Sequence, residues 1–500
     1  MKLRKFLILL LIPAASLFSS THLNIEAAFD KMCEHPLLKK ATIGFCLLDP
    51  STDESIFEAN SEKSLMPASL TKLFTTAAAL ELLGPNMQFS TKLCYQGKIE
   101  DRMLTGDIII LGDGDPTLGS DRFDLRAGDL LLKWRLAIEE AGITNIRGRV
   151  VGDGSCFDNA LQVPTCLWED LGCSYGAGSS GLSFNENRYE LEFKPGDRIG
   201  EKAKLVTSSP YIPQLTFISE VVTGSEGSGD NTNIFGCEYG DVQHVRGAIP
   251  KGQSSFKVRG AISNPPFYCA QSLHDALDRE LIFISCKPKS AKDYNLISSY
   301  RKVVIDETFS PKLKAVVKEM NKNSINLYAD HLFKKMGQMK SGVGSYESGG
   351  KAVMSYLKSL DLDTTGISIK DGSGLSVYNL ISAKQMTQFL SKMRDQENFL
   401  YFYESLPKAG TNNSEGGTLI KFGLGTCLVG NLVAKTGSNS RVFCLAGYIQ
   451  NEEFGEMPFA LLINNCLTSK SKLHLMVSEF LEEIVSLSAK KREAFASQTV

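Results

Sequence analysis

Apolar and polar positions along this chain change period several times, and the changes predict where its elements lie. Ala41-Thr-Ile-Gly-Phe-Cys-Leu-Leu48 and Glu54-Ser-Ile-Phe-Glu58 read as strands separated by the turn residues Asp49 to Asp53. The pattern then becomes helical. Leu70, Leu73, Phe74, Ala77, Ala78 and Leu80 recur at helical spacing, which predicts a largely buried helix entered at Pro67. From residue 86 strand-like runs return, among them Asp107-Ile-Ile-Ile-Leu111 and Arg149-Val-Val-Gly152, around one helix from Leu125 to Ala141. Between 163 and 262 short alternating strands follow one another: Tyr189 to Phe193, Gln214 to Ile218, Val242 to Arg246 and Ser255 to Arg259. A helix from Tyr268 to Arg279 and a strand from Leu281 to Ser285 close that stretch. Helical patterns then run over 311–320, 324–338, 349–359 and 383–394. Strands at 431–436, 441–449 and 458–464 and a last helix over 470–486 complete the chain.

Early strands, a helical block and late strands predict one mixed α/β domain interrupted by the long middle. Five hundred residues exceed one ordinary core, so two or three domains are expected. A net charge of −2 gives no support for nucleic-acid binding or for an anionic membrane partner. The first residues concern export: Met1-Lys-Leu-Arg-Lys5 is basic, Phe6 to Ala15 is apolar, and small residues follow up to Ser20. This reads as a secretory signal peptide, cleaved between Ser16 and Ser20, with no later stretch long enough to span a membrane. An exported, periplasmic protein is expected. The twelve cysteines lie apart, without Cys-x-x-Cys pairs or nearby histidines, so no metal site is expected. Cys166 with Cys173 and Cys427 with Cys444 are candidate disulfides for an oxidising compartment. The glycine clusters at Gly112-Asp-Gly-Asp115 and Gly342-Val-Gly344 lack the context of a phosphate loop and read as turns.

Three short patterns carry candidate chemistry. Ser69 and Lys72 lie three apart on one helix face, so a neutral lysine amine can take the serine proton while the helix start favours developing negative charge. Spacing alone is cheap, since Ser-x-x-Lys also occurs at Ser254, Ser299, Ser355, Ser405 and Ser469. Ser324-Ile-Asn326 follows the polar Asn321-Lys-Asn323 and reads as the opening of a helix, where its hydroxyl is either a cap or a cleft-facing group. Lys435-Thr-Gly437 ends an apolar strand and precedes Ser438. It offers a cation, a hydroxyl for a carboxylate, and room for close backbone approach, or else a plain hairpin with an exposed lysine.

Taken in order, Ser-x-x-Lys, Ser-x-Asn and Lys-Thr-Gly resemble the set of the penicillin-binding proteins and β-lactamases. The long segment between Ser69 and Ser324 narrows the resemblance to the class C low-molecular-mass penicillin-binding proteins, the type-4 D-alanyl-D-alanine carboxypeptidase/endopeptidases of peptidase family S13. Further stretches are similar to that family: Gly112 to Leu118, Val151 to Gly154, Trp168 to Leu171 with Tyr175 to Ala177, Asp371 to Ser376, Leu406 to Gly410, and Gly417 to Leu419. The resemblance implies a β-lactamase/transpeptidase-like serine domain, an antiparallel sheet flanked by helices, from 21–85 and 290–500. One inserted domain would span 86–162 and 263–289, and a β-rich one 163–262.

It also implies roles. Ser69 would attack the carbonyl between two D-alanines, with Lys72 as general base. Ser324, assisted by Lys435, would relay the proton to the leaving amine, and Asn326 would orient substrate and lysine. Backbone N–H groups of Ser69 and Ser438 would form the oxyanion hole, while Lys435, Thr436 and Ser438, beside Gly437, would take the terminal carboxylate. Asp170 and Tyr175 match positions that read the diaminopimelate end of the stem peptide. No metal or other cofactor is implied. The partners are peptidoglycan stem peptides and β-lactams. One departure stands out: Val377 occupies the position where the family usually carries arginine. A non-catalytic cell-wall-binding protein of the same fold and a β-lactamase are the alternatives. The first needs neither nucleophile nor base, and the second lacks an evident deacylating carboxylate.

Overall fold

The computed structural model describes residues 25–294 and 301–486, so the leader expected at residues 1–20 lies outside it. The chain divides into two compact units. Of the described residues, one unit comprises 25–66, Ile381–Gln396 and 406–486; the other lies within Pro67–Leu380 and Glu397–Ser405. Among the described residues no helix is long and apolar enough to cross a membrane.

The first unit is built on a five-stranded antiparallel sheet in the order Leu432–Asn439, Val442–Asn451, Gly455–Asn464, Thr42–Leu48, Ser55–Ala59. Strand Thr42–Leu48 is buried at nearly every position, and its side chains alternate between two covered faces. Ile43, Phe45 and Leu47 join a core with the helix over 25–33 and the helix Lys470–Val485. On the other face the helix Ala383–Met393 approaches closely: a Cβ on Gly44 would lie 3.7 Å from Ala383 Cβ, and Thr387 Oγ1 donates to Cys46 O at 3.3 Å. Phe45 sits at the centre of an aromatic cluster. Its ring centroid lies 6.1 Å from Phe29, 6.0 Å from Phe57 and 5.0 Å from Phe480.

The second unit opens with the turn Ala68–Leu70 and the helix Thr71–Leu82, and later carries the helices Leu313–Asn323, Asn326–Ser341 and Tyr346–Ser359. Between them runs the long middle of the chain. Strands Ser90–Glu100, Met103–Leu111 and Val303–Phe309 anchor a seven-stranded mixed sheet, and Trp134 of helix Ala127–Glu140 is fully buried in its core. From 188 to 261 the chain forms two smaller sheets. The helix expected from Tyr268 begins earlier, at Pro265, because Pro265-Pro266 occupies its first positions and the Asn264 side chain caps Phe267 N–H at 3.3 Å. The strand expected over Leu281–Ser285 shrinks to Phe283–Ile284. Leu281 has a φ of 62°, which no strand accommodates.

Neither candidate disulfide forms, and all twelve cysteines are free thiols. Cys444 is buried in its strand with Sγ 3.4 Å from Met66 O, whereas the exposed Cys427 points its thiol at Glu482 O, 3.8 Å away. Cys173 likewise has its own acceptor, Glu169 O at 3.6 Å.

Truncating the aromatic centre removes contacts on several sides, so Phe45→Ala is expected to cost about 3–5 kcal/mol of stability, read from denaturant unfolding. An unchanged midpoint would contradict the packing described.

Candidate active site

The serine turn is assembled from two conformations that the sequence does not advertise. Ala68 adopts a left-handed φ of 46°, which costs an alanine roughly 1–3 kcal/mol and persists only where its surroundings impose it. The imposing neighbour is the loop Asp371-Gly-Ser-Gly-Leu-Ser376. Gly374, at φ 85°, passes so near that a Cβ there would lie 1.9 Å from Ala68 O. Ser69 therefore sits in the opening turn, partly open to solvent, where the first N–H groups have no intrahelical acceptor.

Lys72, one turn on, is fully buried. Its Nζ makes three bonds: 2.9 Å to Ser69 Oγ, 2.6 Å to Asn326 Oδ1 and 2.6 Å to Ser373 O. All three run to neutral oxygens. Burial pulls the ammonium down from the usual lysine range to about 8, against the opposing influence of Asp330 and Asp371. The choice of partners also directs the lone pair. An amide oxygen and a peptide carbonyl only accept, so they retain the two hydrogens of the neutral amine. The serine hydroxyl alone among the three can donate. Deprotonated Lys72 thus turns its lone pair on Ser69, as a general base must.

The supporting loop is held by acids. Asp371 accepts from Gly374 N–H at 2.7 Å, Ser376 N–H at 2.6 Å and the Asn379 amide at 2.7 Å. Asp330 accepts from Gly372 N–H at 3.0 Å, and Thr75 of the serine helix donates to Gly372 O at 2.7 Å. Burial, then the neighbouring Asp371, pushes the Asp330 carboxyl up to about 8. None of Asp330, Gly374 or the Ser373 carbonyl was singled out from the sequence. The signals present were the spacing of Asp330 four residues beyond Asn326 and the glycines flanking Ser373.

Ser324 departs from its expected place. It does not open a helix but ends Leu313–Asn323 as a left-handed cap at φ 56°, and Ile325 precedes the helix that Asn326 starts. The polar Asn321-Lys-Asn323, outside the helical patterns expected over 311–320 and 324–338, is the final turn of that earlier helix, with Asn321 fully buried. Asn326 links onward to the inserted chain: its amide donates to Tyr175 O at 2.9 Å, and Tyr175 OH donates to Asp170 Oδ1 at 3.0 Å. Asp170 is buried, and desolvation raises its carboxyl above the usual range. Tyr175 remains about half exposed, and Val377 lies just past Ser376, whose Oγ meets Thr165 Oγ1 at 2.5 Å.

In the first unit, Lys435-Thr-Gly437 lies on the edge strand of the five-stranded sheet, paired with Ala446, Leu445 and Cys444. Ala409 N–H donates to Leu432 O and Ala434 N–H to Pro407 O, so the even-numbered residues face the outer edge. By the same alternation Thr436 and Ser438 present their backbone groups outward. The Lys435 side chain is fully buried, Thr436 Oγ1 donates to Thr418 Oγ1 at 2.9 Å, and Ser438 is exposed.

A serine on a helix-start turn with a buried lysine on its hydroxyl, in a mixed α/β protein with an antiparallel sheet, is the arrangement of the penicillin-binding serine peptidases. The chain belongs to the D-Ala-D-Ala carboxypeptidase 3 (S13) family, whose model matches residues 25–479. It is thus an enzyme of the serine D-alanyl-D-alanine carboxypeptidase type. It is 28% identical to a D-alanyl-D-alanine carboxypeptidase of Actinomadura sp. (strain R39), over 90% of this chain and 83% of that one. To the D-alanyl-D-alanine carboxypeptidase DacB of Haemophilus influenzae it is 27% identical, over 92% of each. The crystal structure of penicillin binding protein 4 (dacB) from Haemophilus influenzae superposes with a TM-score of 0.78 at 25% identity, covering 93% of this chain and 99% of that one.

Because Gly374 has neither room nor φ for a side chain, Gly374→Ala is expected to slow acylation by a β-lactam at least about tenfold while the fold is retained. Stopped-flow acylation and circular dichroism together check this, and an unaffected rate would refute the steric argument.

Proposed function

We propose that this protein is an exported serine DD-peptidase that cleaves peptidoglycan stem peptides through an acyl-enzyme on Ser69. The observation that carries the reading is the Lys72 amine 2.9 Å from Ser69 Oγ, with its other two bonds committed to acceptors. Lys72 removes the hydroxyl proton as Oγ attacks the carbonyl carbon of the D-Ala-D-Ala bond. Negative charge develops on the carbonyl oxygen and is met by the N–H groups of Ser69 and Ser438, each such donor being worth about 3–4 kcal/mol of barrier. Ser324, with Lys435, delivers a proton to the departing amine, the C–N bond breaks, and Asn326 holds the substrate amide. Water then attacks the ester and releases Ser69.

Lys435, Thr436 and Ser438 receive the terminal carboxylate, and the close approach it needs fits the glycine at 437. Asp170 and Tyr175 are assigned to the far end of the stem peptide, which supports endopeptidase action on D-Ala–diaminopimelate cross-links besides carboxypeptidase action. Val377 supplies no cation there. β-Lactams would acylate Ser69 because their amide mimics the scissile bond. The leader at residues 1–20 supports delivery to the periplasm. A binding protein that only kept the fold would have no use for a buried lysine held on a serine.

Incubation of the mature protein with a fluorescent penicillin is expected to leave a covalent adduct on the wild type and none on Ser69→Ala, by intact mass. Absence of the wild-type adduct sinks the peptidase reading, and rapid loss of it would instead indicate a β-lactamase. Since the working base is the neutral amine, acylation should rise with pH as Lys72 loses its proton near about 8 and fall at lower pH. Separate incubation with stem peptides and cross-linked dimers reads the two activities; release of free D-alanine alone would remove the endopeptidase assignment.

A further inference from the structure

Helix Asn326–Ser341 brings two polar side chains to the lysine, one turn apart. Asn326 meets Lys72 directly, while Asp330 reaches it through the loop, holding Gly372 N–H at 3.0 Å just before the Ser373 carbonyl that binds Lys72 at 2.6 Å. Asp330 and Asp371 line one small cavity of about 10 Å³, room for a single water, together with Gln162, Cys166 and Tyr346.

Hydrogen-bond partners divide the two acids. All three partners of Asp371 are N–H groups, which can only donate, and they occupy both of its oxygens. A proton on that carboxyl would face donors. Asp330 has one N–H partner on Oδ1 and a hydrogen bond with the Ser373 hydroxyl, while Oδ2 lies 3.5 Å from the Tyr346 hydroxyl; both hydroxyls can accept as well as donate. A proton entering this space is therefore accommodated on Asp330.

We propose that Asp330 is a positioning residue of the acylation step: its carboxyl holds Gly372 N–H, and through it the Ser373 carbonyl that steers Lys72 onto Ser69, while its charge acts on Lys72 within the same buried cluster. This rests on the Ser69–Lys72 assignment above. The groups facing Asp330 are Lys72 from the serine helix, Asp371 from the loop, Tyr346 from the next helix, Cys166 from the long middle of the chain, and Lys334 from its own helix. Burial raises Tyr346 and Cys166 far enough to keep both neutral, and Lys334 is bound to Asp158 at 3.0 Å. Near neutral pH the charge of Asp330 is thus the one that acts on Lys72. An ionised Asp330 favours the ammonium form of Lys72 and so competes with the free base.

The test is the rate of acylation by fluorescent penicillin against pH, on the full mature chain. Asp330→Asn keeps an oxygen for Gly372 but cannot ionise, so the acid limb should move to lower pH by at least about half a unit. Asp330→Ala, which also loses the acceptor, should slow acylation at every pH by at least about tenfold. Asp330→Glu, which keeps a carboxyl, should leave the limb near its wild-type position. A limb unmoved in Asp330→Asn overturns the proposal whatever happens to the rate, because a purely structural role lowers the rate without moving the limb. Asp330→Ser supplies the same reading if the asparagine variant does not fold. A wild type that forms no adduct overturns the peptidase assignment instead, so the two failures are distinguishable.

Discussion

A lysine sealed away from water with only neutral oxygens as hydrogen-bond partners is the constraint on which the serine-bearing unit depends. Burying a charged ammonium without a partner at contact costs several kcal/mol, so the site favours the free amine. Lys72 makes its three bonds to Ser69, Asn326 and the Ser373 carbonyl, and two of those partners are unable to donate to nitrogen. Basicity and direction thus come from one arrangement. A carboxylate in contact would have kept the ammonium charged and removed both.

Holding that arrangement explains features that otherwise look like costs. Ala68 and Ser324 both take left-handed backbone conformations, one shaping the serine turn and the other joining two helices with almost no linker. The loop carrying Ser373 must pass against the serine turn, which admits only glycine at 374. Two buried aspartates are tolerated because each has backbone N–H donors to satisfy it. These groups form one connected network, so their contributions are not separable by single substitutions.

Much of this was legible in advance for physical reasons. The strands around Phe45 and the helices after residue 311 are long and strongly periodic, and burial forces such periodicity. Ser69 on its helix-start turn and Lys435 on its strand were readable because each sits beside a sharp change of pattern, whereas Ser324 caps the preceding helix instead of opening one. Where the reading failed, local chemistry had more than one solution. Asn321-Lys-Asn323 is polar throughout yet completes a helix, with Asn321 and Lys322 buried. The cysteine pairs were judged by sequence spacing, whereas Cys444 lies inside the sheet with its own acceptor.

The sequence by itself determined the class of chemistry, because the proposed nucleophile, base and carboxylate-binding strand are residue types in a fixed order. Only the tertiary structure decided how the base is made basic. The Ser373 carbonyl and Gly374 act through contacts with the serine turn some three hundred residues away, and Asp330 through one with a loop 42 residues further on, and such contacts leave no local pattern. Side-chain type is written along the chain, but the electrostatic surroundings of a buried group are set by what the fold packs against it.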